Sequence, residues 1–157
     1  MGAEYTCIVT KENITIPVKI PHFIKNKVLT IPIDCGGEAA KNFTEHFKNG
    51  KLETPEELEK DENHPQIILD LLVNIGLSNK KYLIHYEADW AGMPCDGYLA
   101  AFDNGNVITD TVWEFGLDGT LIGAFDYLDI KYGKDVYLND RYQFARDEYL
   151  KEIDKTD

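Results

Sequence analysis

The dipeptide Asn104-Gly105 constrains this chain more than any other feature. It lies between two runs of β-branched and aromatic residues, Tyr98–Asp103 and Val107–Phe115. A two-residue type I′ turn needs positive φ at both central positions, and Asn-Gly supplies that at little steric cost. The flanking runs must therefore be antiparallel neighbours. A plain two-residue loop pairs Phe102 with Val107, Ala100 with Thr109 and Tyr98 with Thr111. Cross-strand partners share a face, so Trp113 and Phe115 join them on an aromatic side read as the core face. Leu99, Ala101, Ile108, Asp110, Val112, Glu114, Leu121, Phe125 and Tyr127 fall on the other side, which is apolar with two carboxylates set in it. That side is either covered or exposed and sticky, and covering by a helix is the expectation.

The hairpin extends on both sides. Tyr82 to Trp90 alternates as a strand should. Asp118-Gly119 is a second turn signal, leading into a strand over about 121–130. The sum is an antiparallel meander of about four strands over 82–130. Before it, Glu4–Thr10, Ile14–Ile20 and Val28–Asp34 read as strands. Pro17, Pro21 and Pro32 remove ladder donors, which places them at edges or bulges. Ala39, Ala40, Phe43 and Phe47 recur at helical spacing, and Asn49-Gly50 ends that run. Thr54-Pro55-Glu56-Glu57 has the form of a helix start. A further helix runs over about 65–75 to Gly76, and a last one over 138–153. The expected fold class is α+β: an antiparallel meander and an N-terminal β segment packed with about three helices. All 157 residues read as one domain, divided into an N-terminal β/helical part (1–80), the meander (81–130) and the C-terminal helix (138–153).

Charge narrows the function. Acids outnumber bases 28 to 16, a net charge of −12. Nucleic acid and anionic membrane surfaces are poor partners for such a chain. No apolar run approaches the roughly 18 residues that span a bilayer, and the N-terminus has no basic and apolar leader pattern. Three scattered cysteines, Cys7, Cys35 and Cys95, suit neither a disulfide framework nor a zinc site. A cytoplasmic location is the reading. The excess negative charge is local: residues 82–130 contain no Lys or Arg, but hold Glu87, Asp89, Asp96, Asp103, Asp110, Glu114, Asp118, Asp126 and Asp129. Turn chemistry accounts for Asp103 and Asp118. It does not account for the missing lysines, which usually decorate solvated strand edges. Gathered like charges repel, and a basic partner or a cation offsets that repulsion.

Catalytic readings are weak by comparison. No Asp-x-Asp-x-Asp-Gly loop is present for calcium. A carboxylate-dependent hydrolase would draw on Glu87, Asp89, Asp110 and Glu114, with one raised pKa beside an ionised partner. A Cys95 nucleophile with His85 as base would sit among carboxylates, which disfavour a thiolate. No zinc, phosphate or dinucleotide motif is present. No cofactor, metal or catalytic residue is assigned, and a non-catalytic binding protein is the expectation. A dimeric adaptor, self-associating through the apolar sheet face, is the third class.

In size, in its lack of catalytic motifs and in the acidic stretch from Glu87-Ala88-Asp89-Trp90 to Asp126-Tyr127-Leu128-Asp129, the chain resembles the small acidic immunity proteins of bacterial toxin–immunity systems, including those of contact-dependent growth inhibition. The resemblance implies an inhibitor that binds a basic, nuclease-like toxin domain. Charge would steer capture, and aromatic anchors would hold the complex. The contact residues expected on charge and strand parity are Glu87, Asp89, Trp90, Asp96, Asp103, Asp110, Glu114 and Asp118, with Tyr98 and Tyr127 as anchors.

Overall fold

The computed structural model describes residues 2–25, 27–33, 35–48, 65–90, 93–114 and 128–130. They form one antiparallel sheet with two helices on one face. The strands are β1 (Gly2–Thr10), β2 (Phe23–Lys25), β3 (Val28–Ile33), β4 (Lys81–Trp90), β5 (Met93–Asp103) and β6 (Asn106–Glu114), in the order β2-β3-β1-β4-β5-β6. The helices are α1 (Gly37–Lys48) and α2 (Gln66–Asn74). The α+β class and the hairpin meander β4-β5-β6 agree with the sequence reading. The fourth meander strand falls outside the described residues, apart from the turn at 128–130. So do the Thr54-Pro55 helix start and the C-terminal helix.

Two expectations change. Ile14–Ile20 joins no ladder among the described residues, although Ile14, Ile16 and Ile20 still pack against the core. Pro17 cannot donate to a ladder, and its carbonyl instead closes a turn by accepting the Ile20 N–H at 3.0 Å. The strand β2 takes that place, joined to β3 by two residues, with Lys27 at φ 67. Because β2 pairs only with Val28–Thr30, the outer side of β3 beside Pro32 has no strand partner among the described residues. The ladder donor that proline lacks is not needed there.

The second change concerns the hairpin. Asn104 (φ 51) and Gly105 (φ 77) adopt the expected left-handed pair, and Phe102 does face Val107. The next pair is Ala101 with Thr109, which leaves Ile108 as an extra residue in β6. This β-bulge shifts every later pair by one. Tyr98 faces Val112, Ala100 faces Asp110, and Gly97 faces Trp113. Asp110 and Val112 therefore stand on the face of Tyr98 and Phe102. Thr109, Thr111 and Trp113 take register positions on the opposite one.

The helix-side core explains how α1 holds this hairpin. Ala39, Ala40 and Phe43 are buried, as the helical spacing predicts. The Phe43 ring lies 4.7 Å from Phe47 and 5.7 Å from Phe102, and Phe102 also stacks on Tyr82 at 4.8 Å. Ile8, Ile31, Ile84, Ile68 and Leu72 complete the layer. The opposite sheet face is buried as well: Cys7, Val9, Leu83, His85, Leu99 and Ala101 are inaccessible. Of the residues the sequence reading assigned to this face, Leu99 and Ala101 are thus inaccessible, whereas Ile108 is exposed. Among the described residues no helix is long and apolar enough to cross a membrane.

Candidate functional site at the outer hairpin

At the β5–β6 end of the sheet, α1 ends beside the helix-side face of the hairpin. The spacing Ala40, Thr44, Lys48 runs along one side of α1 next to its apolar stripe. Ala40 and Thr44 are buried, and Thr44 Oγ1 donates to the Ala40 carbonyl at 3.0 Å. One turn later Lys48 leaves the core and reaches β6. Its Nζ donates to Asp110 Oδ2 at 2.7 Å and lies 3.3 Å from Glu45 Oε1. Tyr98, opposite the bulge-shifted Val112, donates its hydroxyl to the same Asp110 oxygen at 3.2 Å.

The electrostatics follow from this geometry. The hydrogen bond from Lys48 to Asp110 raises the lysine pKa, with the attraction of Glu45 adding to it. Burial pushes the Tyr98 phenol well above its ordinary value, and the negative charge of Asp110 pushes the same way. Tyr98 is thus a neutral donor and Lys48 a fixed cation, both directed at Asp110. The lysine-free meander receives its counter-charge from 62 residues away in the chain. A second such case ties Lys11 to Asp129, with Nζ donating to the Asp129 carbonyl at 2.9 Å and standing 3.5 Å from Oδ2. Lys11, Asp129, Glu12, Lys81 and Leu128 line a cleft of about 330 Å³ at the other end of β4.

The ten residues expected to make contact do not form one cluster. Asp96 and Glu114 occupy directly paired positions, and Asp110 and Tyr98 belong to the same face of the hairpin. Glu87 and Asp89 occupy the opposite face of β4, at the register positions of Tyr5 and Ala3. Trp90 ends β4 opposite Met93, and Asp103 closes the hairpin opposite Asn106. Asp118 and Tyr127 lie outside the described residues. The four acids of the hydrolase reading are therefore divided by the sheet, with Glu87 and Asp89 on one face and Asp110 and Glu114 on the other. Cys95 is the extra residue of a second bulge, and the proposed base His85 is fully buried opposite Cys7. Desolvation lowers the His85 pKa to about 3, so it is a neutral imidazole at physiological pH. Among the described residues no three His, Cys, Asp or Glu side chains gather to hold a metal ion.

Sequence reasoning missed Lys48, Thr44 and Glu45. The signal was present in the i, i+4, i+8 row Ala40-Thr44-Lys48, but nothing in the sequence said which strand that row would meet. No protein-family model, curated protein or solved structure matches the chain.

Proposed function

We propose that this chain is a non-catalytic binding protein, an immunity-type inhibitor that neutralises a basic, nuclease-like toxin domain in the cytoplasm. It does so through the acidic positions at the end of the β5–β6 hairpin away from its turn, Asp96 and Glu114 with Asp110. One observation carries the reading: Asp96 and Glu114 face each other across the hairpin, with Asp110 two pairs further along the same face, in a stretch with no Lys or Arg of its own. Like charges directly opposite each other in a sheet are destabilising. The arrangement is better suited to receiving a partner's Lys or Arg than to stabilising the fold. The contact between Lys48 and Asp110 illustrates how an ammonium docks on this face. Glu87 and Asp89, on the other face, add to the long-range field that steers a basic partner.

The test is an inhibition assay. The immobilised chain is presented with native bacterial lysate, and the retained protein is identified and assayed for nuclease activity. The reading expects a basic protein whose activity falls stoichiometrically as chain is added. Its association should slow markedly between about 0.05 M and about 0.5 M salt. Paired reversal, Asp96→Lys with Glu114→Lys, should abolish the inhibition. A retained partner that is acidic, or inhibition that survives both salt and reversal, overturns the reading.

A further inference from the structure

The dipeptide Asn104-Gly105, which closes the β5–β6 hairpin, also carries chemistry of its own. In an Asn-Gly sequence the glycine main-chain nitrogen can attack the asparagine side-chain amide, because no Cβ on the following residue stands in the way. The Gly105 nitrogen bonds to Asn104 Cγ, and the displaced amide nitrogen leaves as ammonia with the proton that Gly105 gives up. The succinimide so formed is opened by solvent water at either of its carbonyls. One product is aspartate. The other, which predominates, is isoaspartate, in which the main chain runs through the side-chain carbons.

Three observations decide how this chemistry bears on the folded protein. First, Asn104 is exposed, and among the described residues its side-chain amide has no hydrogen-bond partner. The reacting carbon is open to water and untethered. Second, the turn holds the reacting atoms apart. Asn104 has φ 51 and Gly105 φ 77. These fit the mirror image of a type I turn, whose first central residue has ψ of about +30°. At that ψ the Gly105 nitrogen stands nearly opposite Asn104 Cβ about the Cα–C bond, whereas ring closure needs the two nearly eclipsed. Third, the bonds that Asn106 adds to the turn are weak: its Nδ2 donates to the carbonyls of Asp103 and Asn104 at 3.4 Å each. The fully buried anchor, Phe102, lies one pair further in, opposite Val107. The tip can open while that core contact stays closed.

We infer that Asn104 is a spontaneous modification site, deamidating to isoaspartate at a rate set by opening of the hairpin tip. The change adds a carboxylate to a strand pair that has no lysine or arginine, and a main-chain methylene to a turn built for two residues. With the longer link Asp103 and Asn106 no longer meet in the ladder, so the hairpin loosens from that end. The inference stands whether or not the chain is an inhibitor.

The full chain and a capped synthetic peptide of residues 101–108 are aged side by side in warm, mildly alkaline buffer. An isolated hairpin is marginal at best in water, so the peptide gives the unrestrained rate. Peptide mapping by mass spectrometry follows the gain of one dalton at Asn104 separately from Asn49-Gly50, and isoaspartyl methyltransferase counts the isoaspartate. Conversion in the folded chain should run roughly tenfold to a hundredfold slower than in the peptide. Asn106→Ala removes both 3.4 Å bonds and should speed conversion severalfold in the chain while leaving the peptide rate unchanged. Asn104→Gly suits the same turn and should abolish the gain at this position. The isoaspartate protein should exchange its Asn106 amide faster than fresh protein, whereas Asn104→Asp, which adds the charge without the methylene, should not. The inference is overturned if the folded chain converts as fast as the peptide, or if no gain appears at Asn104 within the time a hundredfold slower rate requires. It is equally overturned if Asn106→Ala leaves the rate unchanged, or if the isoaspartate protein exchanges Asn106 like fresh protein.

Discussion

Replacing Phe102 with alanine tests how the hairpin that carries the site is held. Phe102 is fully buried and touches three rings: Tyr82 stacked at 4.8 Å, Phe43 at 5.7 Å and Phe47 edge-on at 5.9 Å. A buried aromatic side chain removes on the order of 150–200 Å² from water. At about 25 cal/mol/Å² that is worth about 4–5 kcal/mol, of which alanine keeps roughly a third. Losing the ring contacts and leaving part of the cavity unfilled adds about 1 kcal/mol. The expected cost is about 4 kcal/mol, inside the range of about 3–5 for Phe→Ala in cores. For a chain of this length it should lower the melting point by about 8–16 °C. Because stability totals about 5–15 kcal/mol, Phe102→Ala is measured at low temperature, and Phe102→Leu provides a milder variant. Urea unfolding at constant m gives the number. A double-mutant cycle of Phe43→Leu with Phe102→Leu should show coupling of about 0.5–1 kcal/mol, since the two rings are in contact. The reasoning is refuted if Phe102→Ala costs under about 1.5 kcal/mol with m unchanged, because the hairpin would then be anchored elsewhere.

Two further perturbations probe other parts of the frame. A Cβ on Gly37 would lie 2.7 Å from the Tyr86 ring, so Gly37→Ala should destabilise by about 1 kcal/mol despite alanine's better helix propensity. Adding Tyr86→Ala should reverse the sign of the Gly37→Ala effect, measured by urea unfolding, and an unchanged sign in that background would disprove the clash. His85 has a pKa lowered to about 3 by burial, against an ordinary 6.5 in the unfolded chain. Below pH 6.5 the unfolded state takes up a proton that the folded state refuses until about pH 3, so stability falls with acidification through that window. The slope from this group approaches about 1.4 kcal/mol per pH unit, and His85→Leu should flatten it; parallel pH profiles for the two proteins would exclude His85 as its source.

Sequence alone determined the local features. Asn104-Gly105 fixed a hairpin because only residues tolerant of positive φ close a two-residue turn, and the spacing Ala39, Ala40, Phe43, Phe47 fixed the buried side of α1. The strand signals of β1, β3 and β4 were equally legible. Their partners were not: β1 sits between β3 and β4, paired with residues about eighty positions away, and period-two alternation carries no information about which strands will meet. The face on which Asp110 lies was decided by one unpaired residue, Ile108, because a side-chain period of two turns a single insertion into a reversal of every later position. The counter-charge from Lys48 has the same origin. A helix row shows where a lysine emerges, and only the packing of α1 on the sheet decides which carboxylate it finds.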